Sequence, residues 1–101
     1  MKLSTLPEHQ AYVQKMITER GFADETVPEV FMLLLEEMGE FAKASRKVSG
    51  VKTAADSKVH DLEEEAADVF WYLLNLCNRL DIDLEKAFAA KEKKNQSRKW
   101  S

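Results

Sequence analysis

Four acidic side chains fall on faces of two long helical segments that should be apolar. With about 100° between successive helix residues, Val30, Leu33, Leu34, Phe41 and Ala44 lie within about 60° of Glu37, and Glu40 lies with them. The same construction around Glu65 gathers Leu62, Val69, Tyr72, Leu73 and Leu76, and Asp68 joins them. Each segment aims two acids, spaced i and i+3, along its core-facing stripe. Ionised carboxylates withdrawn from water cost several kcal/mol apiece unless paired, and converging like charges raise one another's pKa values. Lys43, Arg46 and Lys47 follow the first pair, but Lys43 points about 120° away from the stripe. A divalent cation is the simplest neutraliser, and Mg²⁺ or Mn²⁺ suits a shell of carboxylates and waters. Glu36, about 100° from Glu37, sits at the stripe margin, where it suits either a proton acceptor or a support for the ligands. Glu63 and Glu64 read as solvated. The plainer alternative is that long Glu stems at a stripe edge snorkel to water. It fits any single acid better than it fits two pairs on neighbouring helices.

The elements that must position these acids are written in the caps. Thr5-Leu6-Pro7-Glu8 and Thr26-Val27-Pro28-Glu29 each combine a Thr cap, an early Pro and a Glu at the third position, the signature of a capping box. The first helix is expected to run to about Arg20 and stop at Gly21, the second from Val27 to Ser49 before Gly50. Residues 51–57 form a small polar connector, and a third helix starts at Asp56 or Ser57 and continues to about Leu80. Asp81-Ile82-Asp83 interrupts it, and Asp83 caps a fourth helix from Leu84 to about Arg98. Four helices with short connections make an all-α, four-helix bundle in one domain spanning residues 1–101.

Composition agrees and excludes several function classes. Only 3 Gly and 2 Pro in 101 residues leave too few special backbone positions for a turn-rich β-fold. A net charge of -3 offers no electrostatic footprint for nucleic acid or an anionic membrane. The basic run from Lys91 to Lys99 suits either a solvated face at a helix C-terminus or an anion contact. Cys77 is the single cysteine and lies in an apolar run, as a buried, inert thiol does. No signal peptide or membrane span is legible, so the expectation is a cytoplasmic protein. His9 and His60 lack the Glu-x-x-His spacing of a di-iron bundle and read as surface residues. Phe31, Leu33, Leu35, Phe70, Trp71 and Leu74 make the two long helices apolar on more than one face, which predicts a homodimer or homotetramer.

Leu35-Glu36-Glu37-Met38-Gly39-Glu40-Phe41 resembles the Glu-Glu-x-Gly-Glu-Leu motif of the all-α nucleoside triphosphate pyrophosphohydrolases, the MazG-like superfamily, and Glu65-Ala66-Ala67-Asp68-Val69 its Glu-x-x-Asp-Val motif. The stretch from Leu80 to Phe88, with Lys91, Lys94, Asn95 and Arg98, is similar to the family's C-terminal signature. The resemblance spans about residues 27–99 and comes nearest to dCTP pyrophosphatase-type members. It implies hydrolysis of a (d)NTP to monophosphate and pyrophosphate in the service of nucleotide-pool cleansing. Glu37, Glu40, Glu65 and Asp68 would hold Mg²⁺, and Tyr72, Lys91 and Asn95 would contact the nucleotide. Glu36 or one of the ligands would take the proton of the attacking water. Trp71 suits packing or a subunit interface more than base stacking. Two other readings stay open: hydrolysis of phosphoribosyl-ATP within the same superfamily, and a non-catalytic helical adaptor whose acids pair with a partner's cations.

Overall fold

The computed structural model describes residues 2–50 and 55–98, with side chains described for 2–48 and 61–98. It is all-α, with helices α1 (Leu6–Glu19), α2 (Val27–Gly50), α3 (Ala55–Arg79) and α4 (Leu84–Ser97). Among the described residues there is no strand. Residues 51–54 of the connector, the His60 side chain and residues 99–101 lie outside the described residues.

Both capping boxes form. Glu8 N–H donates to Thr5 Oγ1 at 3.2 Å, while Thr5 N–H donates back to Glu8 Oε1 at 3.1 Å. Thr26 and Glu29 repeat the exchange at 3.3 and 2.9 Å. These hydrogen bonds to Thr5 and Thr26 hold the Glu8 and Glu29 carboxyls below the usual carboxylate range. Asp83 Oδ1 caps α4 by accepting from Lys86 N–H at 3.0 Å.

The C-termini of α1 and α3 close alike. Gly21 has φ 80°, and Phe22 N–H reaches back to Ile17 O at 2.9 Å. Asp81 takes the same left-handed conformation, φ 57°, with Ile82 N–H bonded to Cys77 O at 2.8 Å. In each case a left-handed residue just past the helix lets the chain satisfy the last carbonyls while reversing direction.

α2 and α3 form the principal pair; α1 lies against α3, and α4 lies against α1. Val13 and Ile17 of α1 bury themselves on Leu74, with Trp71 and Leu84 packed around them. Part of the apolar excess of α3 is therefore covered within the chain, while Phe70 stays exposed. Trp71, read as packing or a subunit interface, and Leu74 pack on α1, because α3 presents one face to α2 and a second to α1. Cys77 is buried, and burial pushes its thiol pKa up, so it is inert as expected. His9 is half-buried: its ring meets Phe70 edge-on at 5.6 Å, and Nδ1 lies 2.7 Å from Thr5 O.

Gln10 ties three elements together. Its Nε2 donates to Asn78 Oδ1 at 3.0 Å and to Ile82 O at 2.9 Å, and its Oε1 accepts from Leu84 N–H at 2.9 Å. Asn78 Nδ2 returns a bond to Gln10 O at 2.8 Å. The buried Gln10 amide and the half-buried Asn78 amide, so reciprocated, fix the turn between α3 and α4 onto α1. On α2 the outer face stays bare: Met32 and Leu35 are 66% and 64% exposed, with Phe31 and Met38 beside them.

Candidate metal centre

Where α2 and α3 face each other, Glu37, Glu65 and Asp68 each bring a carboxylate oxygen within 4.8 Å of the others. Glu37 and Glu65 are half-buried and Asp68 is exposed. Glu65 Oε2 is buried without a hydrogen-bond partner. Burial pushes the Glu37 pKa up, and so do its hydrogen bond with Glu65 and the charges of Asp68, Glu65 and Glu40. A buried, unpartnered acceptor amid like charges is costly in protein terms alone. Hard oxygen donors at this spacing fit a divalent cation.

Glu40, on the next turn of α2, is exposed and not part of this tight group. It lines an adjoining cavity of about 130 Å³ with Lys43, Ala44, Lys47, Asp61 and Glu65. Lys43 thus stands beside the acids, although its direction on the helix points away from them. A four-carbon stem has the reach to line that cavity, whereas a helical projection registers only the Cα–Cβ vector. Glu36 is exposed and lines a separate cavity with Glu25, Glu29, Met32 and Leu33.

On the other side of the acids opens a cavity of about 380 Å³, within the size range of small-molecule sites. Glu37 and Asp68 stand at it, with Arg20, Phe22, Glu25, Trp71, Tyr72 and Asn75 among the remaining lining. Burial raises the Tyr72 pKa, and the negative charges of Glu37, Glu25, Asp68 and Glu36 add to it, so the phenol stays protonated and able to donate. Trp71 serves two purposes. It packs on α1, edge-on to Tyr12 at 6.4 Å and under Arg20 at 5.2 Å, and it also walls this cavity.

Lys91 is exposed and Asn95 half-buried on α4. Since α4 packs on α1, neither residue lines the two cavities beside the acids. Two residues with no part in the sequence reading enter instead. Asn75 and Arg79 continue the Asp68–Tyr72 face at i+7 and i+11, and polar residues on an apolar stripe were the signal for them, as they were for the acids. Arg79 Nε donates to Asn75 Oδ1 at 2.7 Å, Nη2 to Phe22 O at 2.9 Å, and Nη1 to Glu25 O. The guanidinium fastens the α1–α2 loop over the cavity.

The arrangement pairs an acidic, cation-ready cluster with an aromatic-walled cavity of ligand size. Residues 25–100 match the family described as the MazG nucleotide pyrophosphohydrolase domain. The gene 37 protein of Mycobacterium phage L5 is 36% identical over 72 residues, which make up 69% of this chain and 63% of that relative. The chain therefore spans less than two thirds of the relative's length. Among the described residues, no helix is long and apolar enough to cross a membrane. With three-quarters of its length matched, the clustered acids included, the chain belongs to the MazG nucleotide pyrophosphohydrolase family.

Proposed function

We propose that this protein hydrolyses nucleoside triphosphates to monophosphate and pyrophosphate with Mg²⁺ as cofactor, Mn²⁺ being the nearest substitute. The observation that carries this reading is the Glu37–Glu65–Asp68 cluster, with the orphaned Glu65 Oε2, beside a cavity walled by Trp71, Tyr72 and Phe22. Glu37, Glu65 and Asp68 hold the cation, and Glu40 adds a carboxylate from the next turn. When bound, the cation screens phosphate charge and acidifies a water molecule. The chain's own residues do the rest. Tyr72 donates a hydrogen bond to the nucleotide, and the aromatic walls exclude water from the base. Glu36 or one of the ligand carboxylates takes the proton as the water oxygen bonds to phosphorus and the α–β phosphoanhydride bond breaks, releasing pyrophosphate.

Lys91 and Asn95 meet the phosphates from the α4 of a neighbouring copy in a homodimer or homotetramer. The surface supports such an assembly. The chain exposes 7800 Å², whereas a compact monomer of its mass exposes about 5,800 Å². Its radius of gyration is 16.4 Å, against about 13 Å for a closed domain of this length. Phe31, Met32, Leu35 and Met38 supply an apolar face for the contact.

The test is an assay of each common NTP and dNTP, with phosphoribosyl-ATP included, in Mg²⁺ with and without EDTA. Monophosphate and pyrophosphate, lost with EDTA, are the expected products. Absence of turnover with either Mg²⁺ or Mn²⁺ overturns the reading.

A further inference from the structure

Asn75 is 2% exposed, and its Nδ2 has no hydrogen-bond partner. The amide cannot resolve this by flipping. Its Oδ1 already accepts from Arg79 Nε at 2.7 Å, so a flip would set the amide N–H groups against the guanidinium N–H. Arg79 is immobile in turn, because Nη2 is bound to Phe22 O and Nη1 to Glu25 O. The side chain therefore holds an unmatched donor, and only a donor, in the wall of the cavity it lines with Trp71, Tyr72, Phe22, Glu37 and Asp68. A buried donor left unmatched is unfavourable until a ligand acceptor reaches it.

Position identifies the acceptor. Asp68, Tyr72 and Asn75 follow one another at i, i+4 and i+7 on a single face, and a rise of 1.5 Å per residue sets Asn75 about 10 Å along the axis from Asp68. With phosphates at the carboxylates, that is the reach of the nucleoside's far edge. The group there is the exocyclic substituent opposite the glycosidic bond, at C4 of a pyrimidine or C6 of a purine. A carbonyl at that point accepts from Nδ2, whereas an amino group meets it donor to donor.

We infer that Asn75 is a specificity-determining residue that donates from Nδ2 to this exocyclic carbonyl, so that the site prefers keto bases to their amino counterparts. The inference rests on the nucleotide reading above. Arg79 is the positioning residue that fixes the amide.

The test compares kcat/KM for UTP against CTP and for ITP against ATP in the full-length chain with Mg²⁺. The wild type should prefer the keto member of each pair by at least about tenfold. In Asn75→Asp one carboxylate oxygen stays on Arg79 and the other becomes an acceptor, so the preference should invert toward CTP and ATP. Asn75→Leu should bring each ratio within about twofold. Arg79→Met, which frees the amide to turn over, should flatten the ratios in the same way, an effect that simple loosening of the loop would not have. If Asn75→Leu does not fold, Asn75→Asp carries the test, since its charge pairs with Arg79. Equal use of keto and amino bases by the wild type, or an unchanged ranking in Asn75→Asp, overturns this inference and leaves the pyrophosphohydrolase reading standing. Turnover of no nucleotide overturns both.

Discussion

Replacing Asp68 by Asn should make the metal-free protein more stable and the metal-loaded protein less so. The substitution keeps the side chain's shape and removes one of three charges held within 4.8 Å of one another. At that separation a pair of unit charges repels by about 1–2 kcal/mol for effective dielectric constants between 40 and 80, the range that suits an exposed Asp68. Burial and the contact with Glu65 raise the Glu37 pKa, so Glu37 takes up a proton more readily than an ordinary carboxyl and only the Glu65–Asp68 pair is counted. The expected gain in EDTA is therefore about 1–2 kcal/mol, with each kcal/mol worth about 4–8 °C in Tm for a domain of this size. Added Mg²⁺ reverses the order. A ligand at a hundredfold excess over Kd stabilises the folded state by about 2.7 kcal/mol, and the Asp68→Asn variant, with a ligand oxygen lost, should gain little of it. Urea unfolding followed by circular dichroism, at one protein concentration with EDTA or Mg²⁺, measures all four stabilities. A variant less stable than wild type in EDTA, or two proteins with equal responses to Mg²⁺, would refute the reasoning.

Gln10→Ala removes two donated bonds and one accepted bond from a buried site and strands Leu84 N–H, so it should cost about 2–4 kcal/mol in urea unfolding; a loss under 1 kcal/mol would show that water takes over the role. The metal-free protein should also gain stability as pH falls from neutral toward 4.5, since Glu37, raised in the folded state, binds its proton more tightly there than in the unfolded chain. Below that value the trend should turn, because the stabilisation from the lowered Glu8 and Glu29 carboxyls, fully present above 4.5, is lost as they protonate. Thermal melts in EDTA across pH check both limbs, and Glu37→Gln should flatten only the upper one. Light scattering at micromolar concentration should report a dimer or tetramer, and Leu35→Lys, on the bare face of α2, should raise the dissociation constant at least about tenfold; a monomeric wild type sinks the assembly.

Local chemistry made most of the architecture legible. Thr5, Thr26 and Asp83 are caps whose hydrogen bonds involve residues three positions on, so sequence alone located those helix starts. The acids at 37, 65 and 68 announced themselves by lying on apolar stripes, and the fold brings them together. What escaped depends on partners distant in sequence. Nothing in the spacing of Trp71 and Leu74 says whether α1 or a second subunit covers them, and α1 does. Glu40 shares the stripe of Glu37 on a helical projection but lies a turn further along, outside the tight group, because angle alone ignores rise. Asn75 and Arg79 were open to the same stripe argument, yet their meaning comes from the loop carbonyls of Phe22 and Glu25, more than fifty positions upstream.

One face of α3 works as a ruler. Glu65 and Asp68 mark charge, Tyr72 and Asn75 mark the wall of the cavity beyond it, and Arg79 marks the anchor of the loop above. Because these marks fall on successive turns of a rigid helix, a substitution at Asn75 alters what the cavity recognises without moving carboxylates two turns away. A lineage built on this helix can reshape the cavity by single steps while the carboxylates stay in place.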